Sequence, residues 1–203
     1  MSIYIVGDVH GSVDHLRKMM KRVKDTNASF IQVGDLGIGF PRSQSMVFPN
    51  NFHFIRGNHD NPEVARKHPA YMGDYGVTEI DGKSLFYVSG AYSIDRHFRK
   101  EGVDWWRDEE LGITELTQAL ELYLEVKPEI VFSHDAPDDV TGCLAREYIP
   151  NRTSQALTAM FSAHQPRVWY FGHWHEPFVK QIGNTVFRCA PIPRTYTDFL
   201  HLV

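Results

Sequence analysis

Hydrophobic and polar positions alternate along the chain in two periods, and the changes of period divide it into elements. Ile3 to Val6 is a short apolar run that reads as a core strand. From Ser12 to Lys24, Val13, Leu16, Met19, Met20 and Val23 recur at helical spacing. Ser12 is the expected N-cap, with His15 where a capping-box Glu would otherwise stand. Phe30 to Val33 and Asn51 to Ile55 predict two more strands, and Pro62-Glu63 opens a short helix. Val77 to Ile80 and Ser84 to Ser89 flank Asp81-Gly82, a hairpin signal. Ile113 to Val126 predicts an amphipathic helix stopped by Pro128, with a core stripe under a solvated face. Ile130 to Phe132 and Val168 to Phe171 predict strands, with a helix over Ser154 to Phe161 between them. Phe178 to Ile182 and Thr185 to Cys189 flank Gly183-Asn184 as a second hairpin, and Phe199 to Val203 is a last strand. The stretch from Ala136 to Arg152 is polar and broken by Pro137, Gly142 and Pro150, so a loop is expected there. Early helices between strands and later hairpins predict a layered α/β fold, with a mixed or double sheet core and helices outside.

The length of 203 residues suits one domain spanning 1–203. With 42% hydrophobic and 23% charged residues, the composition is that of a globular protein. The net charge of -4 supplies no overall cationic field, which argues against a long nucleic acid as partner. No apolar run approaches the ~20 residues of a membrane span. The chain runs directly into a core strand, which leaves no room for a signal peptide, and Cys143 and Cys189 make no disulfide framework. A cytoplasmic location is expected. Eleven histidines are many for this length, and their placement changes the picture.

Five times an apolar strand ends and a metal-type ligand follows at once. Ile5-Val6-Gly7 leads to Asp8-Val9-His10, and Gln32-Val33-Gly34 leads to Asp35. Ile55-Arg56-Gly57 leads to Asn58-His59-Asp60. Val131-Phe132-Ser133 leads to His134-Asp135, and Tyr170-Phe171-Gly172 leads to His173-Trp174-His175. Strand ends of an α/β sheet converge on one edge, where ligands bind. Carboxylate with imidazole suits Mn²⁺, Fe²⁺, Zn²⁺, Co²⁺ or Ni²⁺, and neither cysteine falls in a motif, which disfavours a thiolate zinc site.

These five blocks, in this order, resemble the signature of the calcineurin-like metallophosphoesterases over Asp8 to His175. The resemblance implies a four-layer fold, a double β-sheet sandwich flanked by helices, with two divalent metal ions at one end and Mn²⁺ favoured. It implies that Asp8, His10 and His175 hold one ion, that Asn58, His134 and His173 hold the other, and that Asp35 bridges them. The implied reaction is hydrolysis of a phosphodiester or phosphomonoester by a hydroxide activated between the ions. His59 follows the ligand Asn58 directly and is the candidate general acid, with Asp60 expected to orient its ring. Arg56 and Arg96 are candidate substrate contacts, and Asp135 a candidate support for His134. The Ala136 to Arg152 segment, by its position after His134, is a candidate wall or lid.

His15, His53, His68, His97, His164 and His201 lie outside the motifs and read as surface or loop residues. Trp105-Trp106 reads as packing rather than cleft. The Ser/Thr protein phosphatases of this superfamily continue the second block with Asp-Arg-Gly and end the third in Glu. Here Asp35 runs into Leu36-Gly37, and Asp60 follows His59. The expectation is therefore a small bacterial or phage-type phosphoesterase acting on a small phosphate ester or nucleotide. A non-catalytic scaffold is the alternative from another class, and an intact ligand set with its histidine argues against it.

Overall fold

The computed structural model describes residues 2–40, 46–145 and 149–202. The first sheet contains β1 (Ile3–Val6), β2 (Ser29–Val33), β3 (Phe52–Ile55) and β10 (Leu200–His201), in the order β10-β1-β2-β3. The second contains β4 (Tyr75–Ile80), β5 (Lys83–Val88), β6 (Ile130–Ser133), β7 (Val168–Phe171), β8 (Phe178–Ile182) and β9 (Thr185–Cys189), in the order β4-β5-β6-β7-β9-β8. Both sheets are mixed: β1-β2-β3 and β5-β6-β7-β9 are parallel, while β10, β4 and β8 run antiparallel at the edges. The helices are α1 (Val13–Met20), α2 (Pro62–Arg66), α3 (Ile113–Val126), α4 (Asp138–Leu144) and α5 (Arg152–Ala163).

The central strands are apolar on both faces because both faces are covered. Ile3, Ile5, Ile31, Val33 and Ile55 of the first sheet pack against Leu85, Tyr87, Ile130, Phe132, Val168 and Tyr170 of the second. The alternate residues face outward. Val6, Phe30, Phe52 and Phe54 meet Val13, Leu16, Met19 and Met20 of α1 and Ala65 of α2. Val131, Trp169, Phe171 and Phe187 meet Leu116, Ala119 and Tyr123 of α3, Val140 of α4, and Leu157, Met160 and Phe161 of α5. The layers are thus helix, sheet, sheet, helix, as the resemblance implies.

Several elements depart from the expected bounds. α1 stops at Met20, because Arg22 and Val23 bond back three residues to Met19 and Met20 and close the helix in a tighter turn. Ser12 makes no side-chain cap, and His15 reaches the Arg194 carbonyl at 3.0 Å instead. The expected loop from Ala136 to Arg152 contains α4. Pro137 sits at its N-cap, where a missing N–H costs nothing, and Gly142 is tolerated inside it. α5 begins at Arg152, two residues early, with Asn151 accepting from Ser154 N at 2.9 Å. The final strand is reduced to Leu200–His201. Residues 146–148 of the expected wall, and Val203, lie outside the described residues.

Candidate active site

The register places adjacent strand ends side by side. Val6 pairs with Gln32 and Val33 with Ile55, while Ser133 pairs with Phe171 in the other sheet. The ligand-type residues therefore leave both sheets at one edge. They do so on strained backbone. His10, Asp35, His173 and His175 have φ of 46°, 56°, 65° and 63°, and they are four of the six non-glycine residues with positive φ among those described. Left-handed backbone at a non-glycine residue costs free energy and persists where the surroundings enforce it. Glycine is required beside them: a Cβ on Gly57 would collide with the Asp35 carboxylate and the His134 ring, and one on Gly34 would strike the same ring.

Two groups of donors result. One atom from each of Asp8, His10, Asp35 and His175 lies within 4.8 Å of the others, and the same holds for Asp35, His134 and His173. Asp35 belongs to both. His10 Nε2 and His175 Nε2 are 3.1 Å apart, and His134 Nε2 is 3.3 Å from Asp35 Oδ1. Asn58 turns its Oδ1 to within 3.1 Å of His134 Nε2, because its amide donates to Ser93 Oγ at 2.9 Å. Ser93 in turn donates to Glu109 at 2.5 Å. His134 Nδ1 faces the Val33 carbonyl at 2.8 Å, which leaves Nε2 for the site. That carbonyl, not Asp135, orients His134. Asp135 instead accepts from Ala136 N, Trp174 Nε1 and Asn151 Nδ2.

The carboxylates test whether a cation fits. Asp8 Oδ1 accepts from His173 N at 3.0 Å, and Asp35 Oδ1 from His59 N at 2.8 Å. Asp35 Oδ2 is buried without a hydrogen-bond partner, and Asp8 Oδ2, equally buried, faces the His175 ring, whose Nε2 lies 3.0 Å away. A buried, unpaired carboxylate oxygen is costly unless a cation meets it. The site's charge points the same way. Burial opposes a charged His134, yet Asp35 and Asp8 outweigh it and push His134 up to about 10. Burial also works against a charged Asp35, and His134, His59 and His10 overcome it to hold Asp35 well below the usual range. Oxygen and imidazole donors of this kind fit divalent transition ions.

His59 borders the cavity with Nε2 3.9 Å from Asp35 Oδ2. Asp60 does not orient it. Both Asp60 oxygens are taken by backbone N–H groups, Gly37 at 2.7 Å and Ile38 at 3.0 Å on Oδ1, Gly57 at 2.8 Å and Leu36 at 3.2 Å on Oδ2. Burial, with Asp35 nearby, pushes Asp60 up to about 6. The two departures from the protein phosphatase pattern, Leu36-Gly37 and Asp60, are thus one device that pins the second block to the third. The ring of His59 meets Arg99, whose terminal nitrogens lie 2.7 Å from Nδ1 and 3.0 Å from Nε2.

The two expected substrate arginines stand elsewhere. Arg56 is fully buried and donates to Asp74 at 2.8 Å and to the Glu109 carbonyl at 2.7 Å. Arg96 lies over the Tyr92 ring at 4.7 Å and does not line the cavity. Trp106 packs edge-on to Phe40 and is buried, as expected. The cavity, about 580 Å³, is walled by Tyr92, Ile94, Ala145, Ile149 and Trp174 above Asp35, Asn58 and the histidines. The Ala136 to Arg152 segment does supply part of that wall, through Ala145, Ile149 and Asn151. Arg99 is the residue that sequence reasoning missed. It sits in a loop without periodicity, 40 residues from the histidine it touches.

The family model of the calcineurin-like phosphoesterases matches residues 1–177. No curated sequence matches the chain. Among solved structures, the phosphopantetheinyl hydrolase of Mycobacterium tuberculosis is similar at 11% identity and a TM-score of 0.56, over 100% of this chain and 95% of that one. A putative 5'-nucleotidase from Staphylococcus aureus is similar at 15% identity and a TM-score of 0.51, over 96% of this chain and 48% of that one. At such identities the likeness is one of fold. With the profile match covering most of its length, the chain belongs to the calcineurin-like phosphoesterase family and is a hydrolase acting on phosphate esters.

Proposed function

We propose that this chain hydrolyses a small phosphate ester at a pair of divalent ions, Mn²⁺ favoured. Asp8, His10 and His175 hold one ion, Asn58, His134 and His173 hold the other, and Asp35 serves both. The observation that carries this reading is the pair of buried carboxylate oxygens, Asp8 Oδ2 and Asp35 Oδ2, turned into two donor groups that share Asp35. Bound divalent ions supply positive charge that lowers the pKa of a water and offsets the charge of the phosphate. The chain does the rest. Backbone N–H groups of His59 and His173 fix one oxygen of each carboxylate, so the other points inward. The Val33 carbonyl and the Ser93 hydroxyl fix His134 and Asn58. His59 gives a proton to the leaving oxygen, and its place at the cavity floor supports that role.

The apolar wall of Tyr92, Ile94, Ile149 and Trp174 favours a compact ester with an organic body over a bare anion. The names of the two solved neighbours, a phosphopantetheinyl hydrolase and a putative 5'-nucleotidase, are in keeping with a small substrate. The described helices include none long and apolar enough to cross a membrane. Both cysteines are free, which is in keeping with a reducing, cytoplasmic location. The Ser/Thr protein phosphatase reading is weaker, because Leu36-Gly37 stands where that branch carries an arginine. The scaffold reading is weaker because the donor set is complete.

A metal-by-substrate screen tests the proposal. Mn²⁺, Ni²⁺, Co²⁺, Zn²⁺ and Mg²⁺ are each offered with p-nitrophenyl phosphate, bis-p-nitrophenyl phosphate and cyclic nucleotides, and bound metal is counted. The expected result is about two ions per chain and turnover with at least one ion. Metal bound without turnover on any ester overturns the reaction; no metal bound overturns the site.

A further inference from the structure

Arg99 lies just past the 3-10 turn Arg96–Phe98, with its side chain mostly covered. Among the described residues lining the cavity, it is the one arginine or lysine. Its five N–H groups divide into two sets. Nε donates to Asp95 Oδ1 and Nη2 to Asp95 Oδ2, both at 2.7 Å, and Nη1 donates to the Asp104 carbonyl at 3.2 Å. One N–H on each terminal nitrogen remains. These two face the His59 ring, Nη1 at 2.7 Å from Nδ1 and Nη2 at 3.0 Å from Nε2. An imidazole offers at most one acceptor nitrogen in any protonation state. At least one of the two N–H groups therefore meets no lone pair. The guanidinium is anchored on its outer side and under-used on its inner side. Two parallel guanidinium N–H groups match two oxygens of a phosphate.

We propose that Arg99 is the arginine that clamps the substrate phosphate, taking the part that Leu36-Gly37 cannot supply from the second block. The proposal rests on the phosphoesterase reading of the cavity. When the His59 ring swings off the guanidinium toward the leaving oxygen, a phosphate entering above Asn58 gives each inner N–H an oxygen, while Asp95 and Asp104 keep the guanidinium in place. Arg96, three residues earlier, stays on Tyr92 and takes no part.

The test is calorimetric titration of inorganic phosphate into the metal-loaded full chain, as wild type, Arg99→Ala, Arg99→Lys and Arg96→Ala. Bound metal and thermal unfolding are read on each protein. Arg99→Ala should weaken phosphate by about 10- to 100-fold with bound metal unchanged. Arg99→Lys should lose most of the same affinity, because a point charge lacks the fork. Arg96→Ala should stay within about twofold of wild type. KM for p-nitrophenyl phosphate should rise with the phosphate dissociation constant, and kcat should fall less. Wild-type phosphate affinity in Arg99→Ala overturns the clamp. If that variant does not fold, undiminished affinity in Arg99→Lys overturns it. A fall in kcat with KM unchanged also overturns it, since that pattern assigns Arg99 to positioning His59. A wild-type protein that binds metal and phosphate yet turns over no ester overturns the reaction and leaves the clamp standing.

Discussion

At the scale of single residues, His59 carries the sharpest expectation. Burial pushes it down to about 4, with Arg99 adding to that effect and Asp35 opposing it. A substrate phosphate beside the ring acts in the opposite sense, since its negative charge favours the protonated form that can donate. His59→Ala should keep its metal, retain near-normal turnover of p-nitrophenyl phosphate, and lose about 10²- to 10⁴-fold on an alkyl phosphate. Equal losses on both esters, in steady-state assays of the loaded protein, would assign His59 to binding rather than to proton donation. The positions of such residues are legible in the sequence, because Gly57-Asn58-His59 and its four companions sit directly after apolar runs. Their partners are not. Asp60 follows His59 in the chain, but its carboxylate goes to four backbone N–H groups, three of them in the second block. Arg56 reads as a strand-end cation, yet it is taken up by Asp74 inside the protein. Sequence adjacency reports where a Cα lies; it does not report which way a long side chain turns.

At the scale of elements, Asp74 ties the pieces that carry the third block. It accepts from Arg56 after β3 at 2.8 Å, from Arg66 in α2 at 2.8 Å, and from the Tyr71 hydroxyl at 2.8 Å. Burial pushes Asp74 up, but Arg56, Arg66 and Tyr71 outweigh it and hold the carboxyl below its ordinary range. The folded protein therefore takes that proton less readily than the unfolded chain. The resulting stability is fully present above about pH 4 and is lost as pH falls through the lower, folded value. Asp74→Asn leaves buried Arg56 without its charge partner and should cost about 3 kcal/mol at pH 7. In urea unfolding the gap to wild type should narrow below about pH 4; a gap that is constant with pH would mean that the amide loses packing rather than charge. Elements of this kind are readable where period and turn chemistry agree. The Ile113–Val126 helix and both hairpins fall at or within a few residues of their expected bounds. α4 is not readable, since Pro137 and Gly142 signal a break; Val140, buried against the outer face of the second sheet, overrides them.

At the scale of the whole molecule, the two donor groups draw on both sheets. Asp8, His10, Asp35 and Asn58 follow β1, β2 and β3, whereas His134, His173 and His175 follow β6 and β7. Ions held by these residues, as proposed, would tie the two sheets at one edge, while the apolar layer of Ile5, Ile31, Val33, Phe132 and Tyr170 holds them along their faces. The unfolded chain scatters the same ligands, so metal bound to the folded state alone raises its stability by mass action. At a free ion concentration 100 times the dissociation constant, each ion adds about 2.7 kcal/mol. For a chain of this size that corresponds to a rise in Tm of roughly 5–10 °C per ion. Each histidine must give up its proton to bind, so affinity, and with it the metal-dependent part of Tm, should fall as pH is lowered from 8 to about 6. Differential scanning calorimetry with Mn²⁺ or with chelator, at both pH values, reads the effect directly. A chelator that leaves Tm unchanged at pH 8 would show that the sheets need no ion to stay together. A shift that does not depend on pH would mean that the ion is bound by carboxylates alone, without His10, His134, His173 or His175.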